Sequence, residues 1–590
     1  MKNSHNIYFI LGVLGLLCLS EIALGQGTVR YVKSGATGDG SSWNNASGEL
    51  QKMIDISSVG DEIWISSGTY YPSELIKTNK KRSYAFKLKN GVSLYGGFSG
   101  IETNKEDRIK GEAIKPMEYI FTNQTIISGD IDGIEDIWIR KFAEGSTVRY
   151  IWQITGNEKN SNHLFYTEEN ITEPIVIDGF TLIGAYADVW QVKASGAALY
   201  ASGNISLLNS IVRQNAVYTS VEGNLDLNGG AVTIINGNNA KISNCLFENN
   251  FVYLPNLIAS GGSIYIEKGT VEKSIFKNSV GVDKGGAITI KDGNIKDCSF
   301  YDCYGASGGS IYSQNSFIDR CYIAHSRALM GGGIHAENTN IHHTTVVNCY
   351  ADDPSFGESG GGKGGGIFAK NNTSIIGSIA TNCSSGSKGG GIYLETGCKI
   401  FHSTVQNNSL RLESTDSNIG YLGNITIGNS IFADNISTAN FKTPTQNKGF
   451  SEEENERNLA VKSDWALSEG SEFIQTGEII EGIEEVFDMR GNKRITNNKI
   501  DRGALAYIPT NSIETGIIKD DILYYNDNTK QLISTIPLNR VTIYNYVGIV
   551  QSIFMSANGI ISVSGLPSGC YIAVGQTKSK QYVSCTFCKK

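Results

Sequence analysis

Charge is scarce in this sequence. Asp, Glu, Lys and Arg together make up 18% of its 590 residues, against about a quarter in ordinary globular chains. With 40% apolar residues, that composition fits neither a disordered chain nor a coiled coil. Basic tracts are missing and the net charge is −8, which argues against nucleic acid as a partner. Beyond the N-terminus no stretch approaches the ~18 consecutive apolar residues of a membrane span, so no spanning helix is predicted in the mature chain. Helical periodicity is nearly absent after residue 60. Proline numbers only 9, so other residues must make the turns. There are 68 glycines, about 11.5% of the chain against a usual ~7%, and 52 asparagines. Both suit tight turns with left-handed residues. The composition points to a large, polar, turn-rich β protein.

The N-terminus reads as a secretory signal peptide over residues 1–25. Lys2 supplies a positive start, Ile7 to Leu19 is a short apolar run, and Ala23 and Gly25 precede a cut ahead of Gln26. Cys18 follows Leu17, where lipoprotein processing needs a small residue, so no lipid anchor is expected. Cleavage leaves ten of the 11 cysteines in an oxidising compartment.

A repeat then organises the chain. Gly-Gly, a small residue and an aliphatic anchor recur, with anchors at Val232, Ile264, Ile288, Ile311, Ile334, Ile367 and Ile392. The short spacings are 23–25 residues, and the longer ones, 32 and 33, read as one coil plus a loop. A second motif, an apolar residue followed three positions later by Asn, trails the first at Phe247, Ile275, Ile379, Val405 and Phe432. Short alternating runs such as Ala287-Ile288-Thr289-Ile290 are strand signals. A unit of this size cannot bury its own inner face; stacked as parallel coils ~4.8 Å apart, such units share one core. The predicted fold is all-β, a right-handed parallel β-helix.

Stacking assigns columns. Cys245, Ser274, Cys298, Cys321 and Thr344 fall at equivalent inward positions, as do Cys303, Ser326, Cys349 and Cys383. Buried free thiols acting as small hydrophobes are one reading. A disulfide between neighbouring coils, Cys298–Cys321, is the other. Zinc is not expected, since the coils hold no Cys-x-x-Cys pair. Outward, just after each anchor, come Thr233, Tyr265, Thr289, Tyr312, His335, Phe368 and Tyr393. Exposed rings there would stack on sugars, or simply on one another. Four residues before successive anchors come Lys363 and Lys388, predicted to lie one coil apart and to bracket an anionic group or to splay into solvent.

The Gly-Gly-x-Ile and Phe-x-x-Asn pairing resembles the repeat of polymorphic outer-membrane proteins, within the pectin-lyase-like β-helix superfamily. The opening resembles that of secreted bacterial β-helix repeat proteins: Arg30-Tyr31-Val32, Gly38-Asp39-Gly40, Trp43, a cap helix near 48–57, Gly60-Asp61-Glu62-Ile63 and Gly68-Thr69-Tyr70. The closing pattern, Asp488, Gly491-Asn492, Arg494 and Ile500-Asp501-Arg502-Gly503-Ala504, is similar to theirs as well. Residues 511–590 lose the repeat and show turn-separated strands. They resemble the C-terminal sorting domain of type IX secretion, through Val541-Thr542-Ile543-Tyr544-Asn545, Ile561 to Ile572 and Lys589-Lys590. The organisation expected is a signal peptide (1–25), an N-terminal strand and cap helix (26–58), a β-helix (59–510) and a small C-terminal β-sandwich-like domain (511–590). Cys585-Thr586-Phe587-Cys588 is weak as a metal motif and suggests a disulfide from Cys585 to Cys570.

Many proteins of this superfamily are polysaccharide lyases or hydrolases, but fold alone supplies no catalyst. The acids of the coils, among them Asp283, Asp297, Asp302, Asp319, Asp352, Asp353 and Glu358, are scattered. His325, His335, His342, His343 and His402 concentrate five of the seven histidines, yet His342 and His343 are adjacent and point to opposite faces of a strand. The resemblance and the residues together suggest a secreted, outer-membrane or cell-surface protein that is adhesive or glycan-binding, with no cofactor. The expected partners are a polysaccharide or a cell-surface glycan, through Tyr265, Tyr312, His335, Phe368, Tyr393, Lys363 and Lys388, and a secretion machinery, through 511–590. The alternative is a lyase or hydrolase acting on an acidic polysaccharide, with Ca²⁺ only in the lyase case.

Overall fold

Each repeat closes one turn of a solenoid through four short strands. In one coil these are Val280–Lys284, Ile288–Lys291, Asn294–Lys296 and Ser299–Tyr301. Each pairs in parallel with its equivalent one coil on: Ile288 with Ile311, Ile295 with Ile318, Phe300 with Ile323, Val280 with Tyr304. The ladders merge into sheets of 24, 12 and 11 strands. The chain is a right-handed parallel β-helix. The computed structural model describes residues 27–108, 121–142, 150–188, 195–218, 227–253, 259–352, 361–411, 418–432 and segments between 467 and 589. The predicted signal peptide lies outside the described residues.

The corners explain the repeat motifs. Between strands the chain turns on single left-handed residues: Gly285, Asp292, Asp297 and Asp302 in one coil, Gly308, Asn315, Arg320 and His325 in the next. Asn, Asp and His tolerate this conformation better than most side chains. The abundance of Asn therefore has a backbone cause, and so do His325, His343 and His402, all corner residues. In each Gly-Gly pair the first glycine is left-handed, φ +73° at Gly308. The second is forced by stacking. A Cβ on Gly286 would lie 1.9 Å from the Gly309 carbonyl oxygen, and one on Gly309 would lie 2.0 Å from that of Gly332.

Inside, the anchors form continuous apolar columns, all of Ile264, Ile288, Ile311, Ile334 and Ile367 being fully buried. Phe247, Phe276 and Phe300 stack face to face at 4.9 and 4.8 Å. The Cys/Ser/Thr columns also face inward. There a hydroxyl accepts the N–H of the preceding coil, Ser274 from Cys245 and Thr344 from Cys321.

Of the two readings of this column, the free thiols hold and the Cys298–Cys321 disulfide does not form. Cys298 Sγ turns to the Lys296 carbonyl at 3.3 Å, and Cys321 Sγ to that of Asp319 at 3.4 Å. Lys296 and Asp319 are register partners, so the two thiols share one orientation and stack at coil spacing rather than bonding. Burial pushes the Cys321 thiol up to about 12.

The predicted cap is the helix Leu50–Ile56, whose Leu50, Met53 and Ile54 join the main core. At the other end Leu467 and Phe473 bury the strand residue Ile431, and Ala504 and Leu505 cover Ile379. Short antiparallel pairs depart from the solenoid pattern, and one of them is longer. The longer one joins Ile137–Phe142 to Tyr150–Thr155. Its Trp152 donates Nε1–H to the Asn278 carbonyl at 3.2 Å, and Trp138 and Ile154 pack on the core.

The strands Leu523–Asn526, Gln531–Asn545, Val550–Ile561, Gly569–Thr577 and Tyr582–Lys589 form a separate five-stranded antiparallel sheet with its own core, including Leu532, Val541, Ile543, Ala573 and Phe587. Here too the expected pairing fails. Cys585 is in no disulfide and its register partner is Ala573, while that of Cys570 is Cys588.

Candidate functional site

The outward position after each anchor is one unbroken column: Thr233, Tyr265, Thr289, Tyr312, His335, Phe368 and Tyr393 are successive register partners. The expectation that its rings face solvent is wrong. Tyr265 and Tyr312 are 5% exposed, Phe368 3%, His335 and Tyr393 2%.

The reason lies at the Gly-Gly corner beside them. Side chains of this column fold back across the corner; the Thr289 hydroxyl reaches the Lys284 carbonyl at 2.9 Å. Ring faces are then occupied by the ring one coil away: Tyr312 to His335 at 5.0 Å, His335 to Phe368 at 4.7 Å, Phe368 to Tyr393 at 5.5 Å. Lysine ammonium groups sit over the remaining faces, Lys291 over Tyr265, Lys284 over Tyr312 and Lys363 over Tyr393, at 4.9–5.2 Å. No face is left for a sugar.

What the column presents is charge. One flank runs Ser260, Lys284, Ser307, Met330, Lys363 and Lys388 in register. Lys363 and Lys388 are bridged neighbours, as their spacing from the anchors predicts. The other flank runs Glu267, Lys291, Gln314, Glu337 and Lys370. The flanks differ in how they are neutralised. Lys291 pairs with Glu267 at 3.9 Å and Lys370 with Glu337 at 3.0 Å. Among the described residues, Lys284, Lys363 and Lys388 pair with no carboxylate.

Glu337 gathers the groups with chemistry. Its carboxylate accepts the Tyr312 hydroxyl and lies 3.6 Å from His335 Nε2. Burial pushes the Glu337 carboxyl up, but the Tyr312 hydroxyl and the Lys370 ammonium together hold it below its ordinary value. Burial, then Glu337, raises the Tyr312 phenol. Burial, aided by Lys370 and Lys284, pushes His335 down to about 3. The carboxylate is thus ionised and bonded, the phenol holds its proton, and the imidazole is neutral and enclosed. None is poised to exchange a proton with a bound molecule.

The other histidines do not join this cluster. His343 sits 3.5 Å from Asp319, within a network in which Arg320 spans Asp319 and Asp297. His342 lies edge-on to Phe317 at 4.9 Å. His402 is fully buried, and burial, then the Arg494 charge, pushes it down to about 3. The acids are equally dispersed: Asp297 and Asp302 are corner residues and Asp352 faces Arg327. Asp353 and Glu358 lie outside the described residues. Among the described residues, no three His, Cys, Asp or Glu side chains are grouped to hold a metal ion.

Compared with known protein families and with curated proteins, the chain matches none. Among solved structures it is similar to the pectate lyase Pel9A, with 12% identity over 81% of this chain and 96% of that one, TM-score 0.29. It is similar to XylC in its complex with xylose, with 10% identity over 68% and 75%, TM-score 0.32. The Yersinia enterocolitica family 28 exopolygalacturonase aligns with 12% identity over 68% and 78%, TM-score 0.28. These likenesses carry no activity over to this chain.

Proposed function

We propose that this β-helix binds an anionic polysaccharide along the lysine flank of its anchor sheet. The observation that carries the reading is the set of Lys284, Lys363 and Lys388, which stand in register on one flank with no carboxylate partner among the described residues, in a chain of net charge −8. A solenoid repeats such positions every ~4.8 Å on a rigid frame. That geometry suits a linear polymer carrying uronate or sulfate groups at intervals. The stacked rings beneath serve as a packed floor that fixes the lysine stems, not as a sugar platform.

The reading is of a binder. Both carboxylates of the paired flank are already engaged, Glu337 by Tyr312 and Lys370 and Glu267 by Tyr265 and Lys291. In the same proposal the chain is secreted and displayed at the cell surface, with the C-terminal sheet addressing it to a secretion machinery.

The experiment is binding of an acidic polysaccharide to the wild type and to the Lys363→Ala, Lys388→Ala double variant. Exposed charge pairs contribute roughly 0.2–1 kcal/mol each, so the double variant should bind roughly 2- to 30-fold more weakly. Equal binding would remove these lysines from the site. Release of unsaturated or reducing ends during the incubation would replace the binder with a lyase or hydrolase.

A further inference from the structure

The lysine flank is unevenly charged. In register it runs Ser260, Lys284, Ser307, Met330, Lys363 and Lys388. One cation is thus parted from a pair of cations by two uncharged positions. The rings fix where the ammonium groups lie. Lys284 Nζ stands 4.9 Å from the ring centre of Tyr312, and Lys363 Nζ 5.1 Å from that of Tyr393. Each ring belongs to the coil after the lysine's own, so both stems run the same way along the solenoid. Attraction to the ring face holds them there. Lys388 has no such ring, because Gly420 follows Tyr393 in the column. It is exposed and adds its charge at the Tyr393 end.

Tyr312, His335, Phe368 and Tyr393 are successive register partners. The two charged points are therefore three coils apart, ~14 Å at ~4.8 Å per coil. Between them the flank offers Ser307, which is buried, and Met330, which is half-buried. His335 beneath is enclosed and held neutral by its burial. The points also differ in strength. Asp283, beside Lys284 in sequence, feels the Lys284 charge and offsets part of it, whereas Lys363 and Lys388 are neighbours that reinforce each other.

Resting on the reading that this flank binds an anionic polysaccharide, we propose that it selects for charge spacing. One anionic group binds at Lys284, a second binds Lys363 and Lys388 together, and the ~14 Å of chain between them needs no charge. The ligand class is a polysaccharide whose anionic groups bracket a neutral stretch, such as a partly esterified polyuronate. Two linked contacts exceed one only when the chain between them spans the gap.

The test titrates the full chain with oligogalacturonates of increasing length at fixed salt. Affinity should rise in one step, by roughly 1.4- to 5-fold for one more exposed charge pair, at the length whose end carboxylates stand ~14 Å apart. An oligomer of that length with its inner carboxylates methyl-esterified should bind as tightly as the fully charged one. Lys284→Ala should remove the step, and Met330→Lys, which puts a cation in the neutral stretch, should move it to a shorter oligomer. A step that survives Lys284→Ala, or affinity that climbs evenly with every added uronate, overturns the spacing while leaving the polysaccharide reading in place. No binding of polygalacturonate to the wild type overturns both.

Discussion

Replacing Gly309 by alanine tests the physical reason for the Gly-Gly repeat. The new Cβ would lie 2.0 Å from the Gly332 carbonyl oxygen and 2.7 Å from the Arg327 amide nitrogen. Both are backbone atoms, so no side chain can swing aside. The Gly332 carbonyl belongs to the next coil, and relief requires parting two coils by roughly an ångström. Gly309 N–H donates to the Gly331 carbonyl at 3.0 Å, and Ser310 N–H to that of Gly333 at 2.9 Å. Overpacking costs about 1–3 kcal/mol, and each weakened ladder bond adds about 0.5–1.5 kcal/mol. A loss of roughly 2–6 kcal/mol is expected. The control is Gly133→Ala, at φ +70° with no atom within 4 Å of the new Cβ. There only the left-handed backbone opposes the change, at about 1–2 kcal/mol. Denaturant unfolding followed by far-ultraviolet circular dichroism measures both. If Gly309→Ala proves no more costly than Gly133→Ala, coil contact is not why the second glycine is there.

Three further outcomes are expected. His335 and His402 are held near 3 in the fold against an ordinary 6.5, so the unfolded chain binds more protons between those values. Stability should fall as pH drops from about 6.5 toward 3, by up to roughly 4 kcal/mol per histidine, and a His335→Phe variant should show a shallower slope in urea midpoint against pH. Phe368→Ala, at a ring 3% exposed between His335 and Tyr393, should cost about 3–5 kcal/mol; a cost under about 1 kcal/mol by the same unfolding assay would mean the ring is not packed as described. Phe368→Leu, which keeps most of the buried volume, should leave polysaccharide affinity unchanged, and a loss measured by titration would restore the rings as a sugar platform.

Much of the solenoid is legible in the residues because stacking leaves a periodic mark. The anchors from Val232 to Ile392 are register partners, and counting back from them places Lys284, Lys363 and Lys388 in one column, as the bridges confirm. Alternation tells inside from outside but not how a corner folds. The Tyr312 column is outward by parity and nevertheless buried, because the Gly-Gly turn brings the preceding strand alongside it. The histidine concentration misleads for a related reason: His325, His343 and His402 occupy left-handed corners, a backbone demand that reads in sequence like a cluster. Cys585 looks a natural mate for Cys570 until the register of Gly569–Thr577 and Tyr582–Lys589 is known. The antiparallel pair Ile137–Phe142 and Tyr150–Thr155 gives no repeat signal, and only its Trp138 and Trp152 hint that it packs on something.

The proposed role of Lys284, Lys363 and Lys388, unpaired with carboxylates among the described residues, is to recognise negative charge on a polysaccharide. The most direct measurement is titration of the full chain with polygalacturonate and with its fully methyl-esterified form, at low and at high salt. The charged polymer should bind, its affinity should fall as salt rises, and a Lys284→Ala, Lys363→Ala, Lys388→Ala variant should bind it as weakly as the wild type binds the neutral ester. Salt-independent binding of equal strength to both polymers would contradict it.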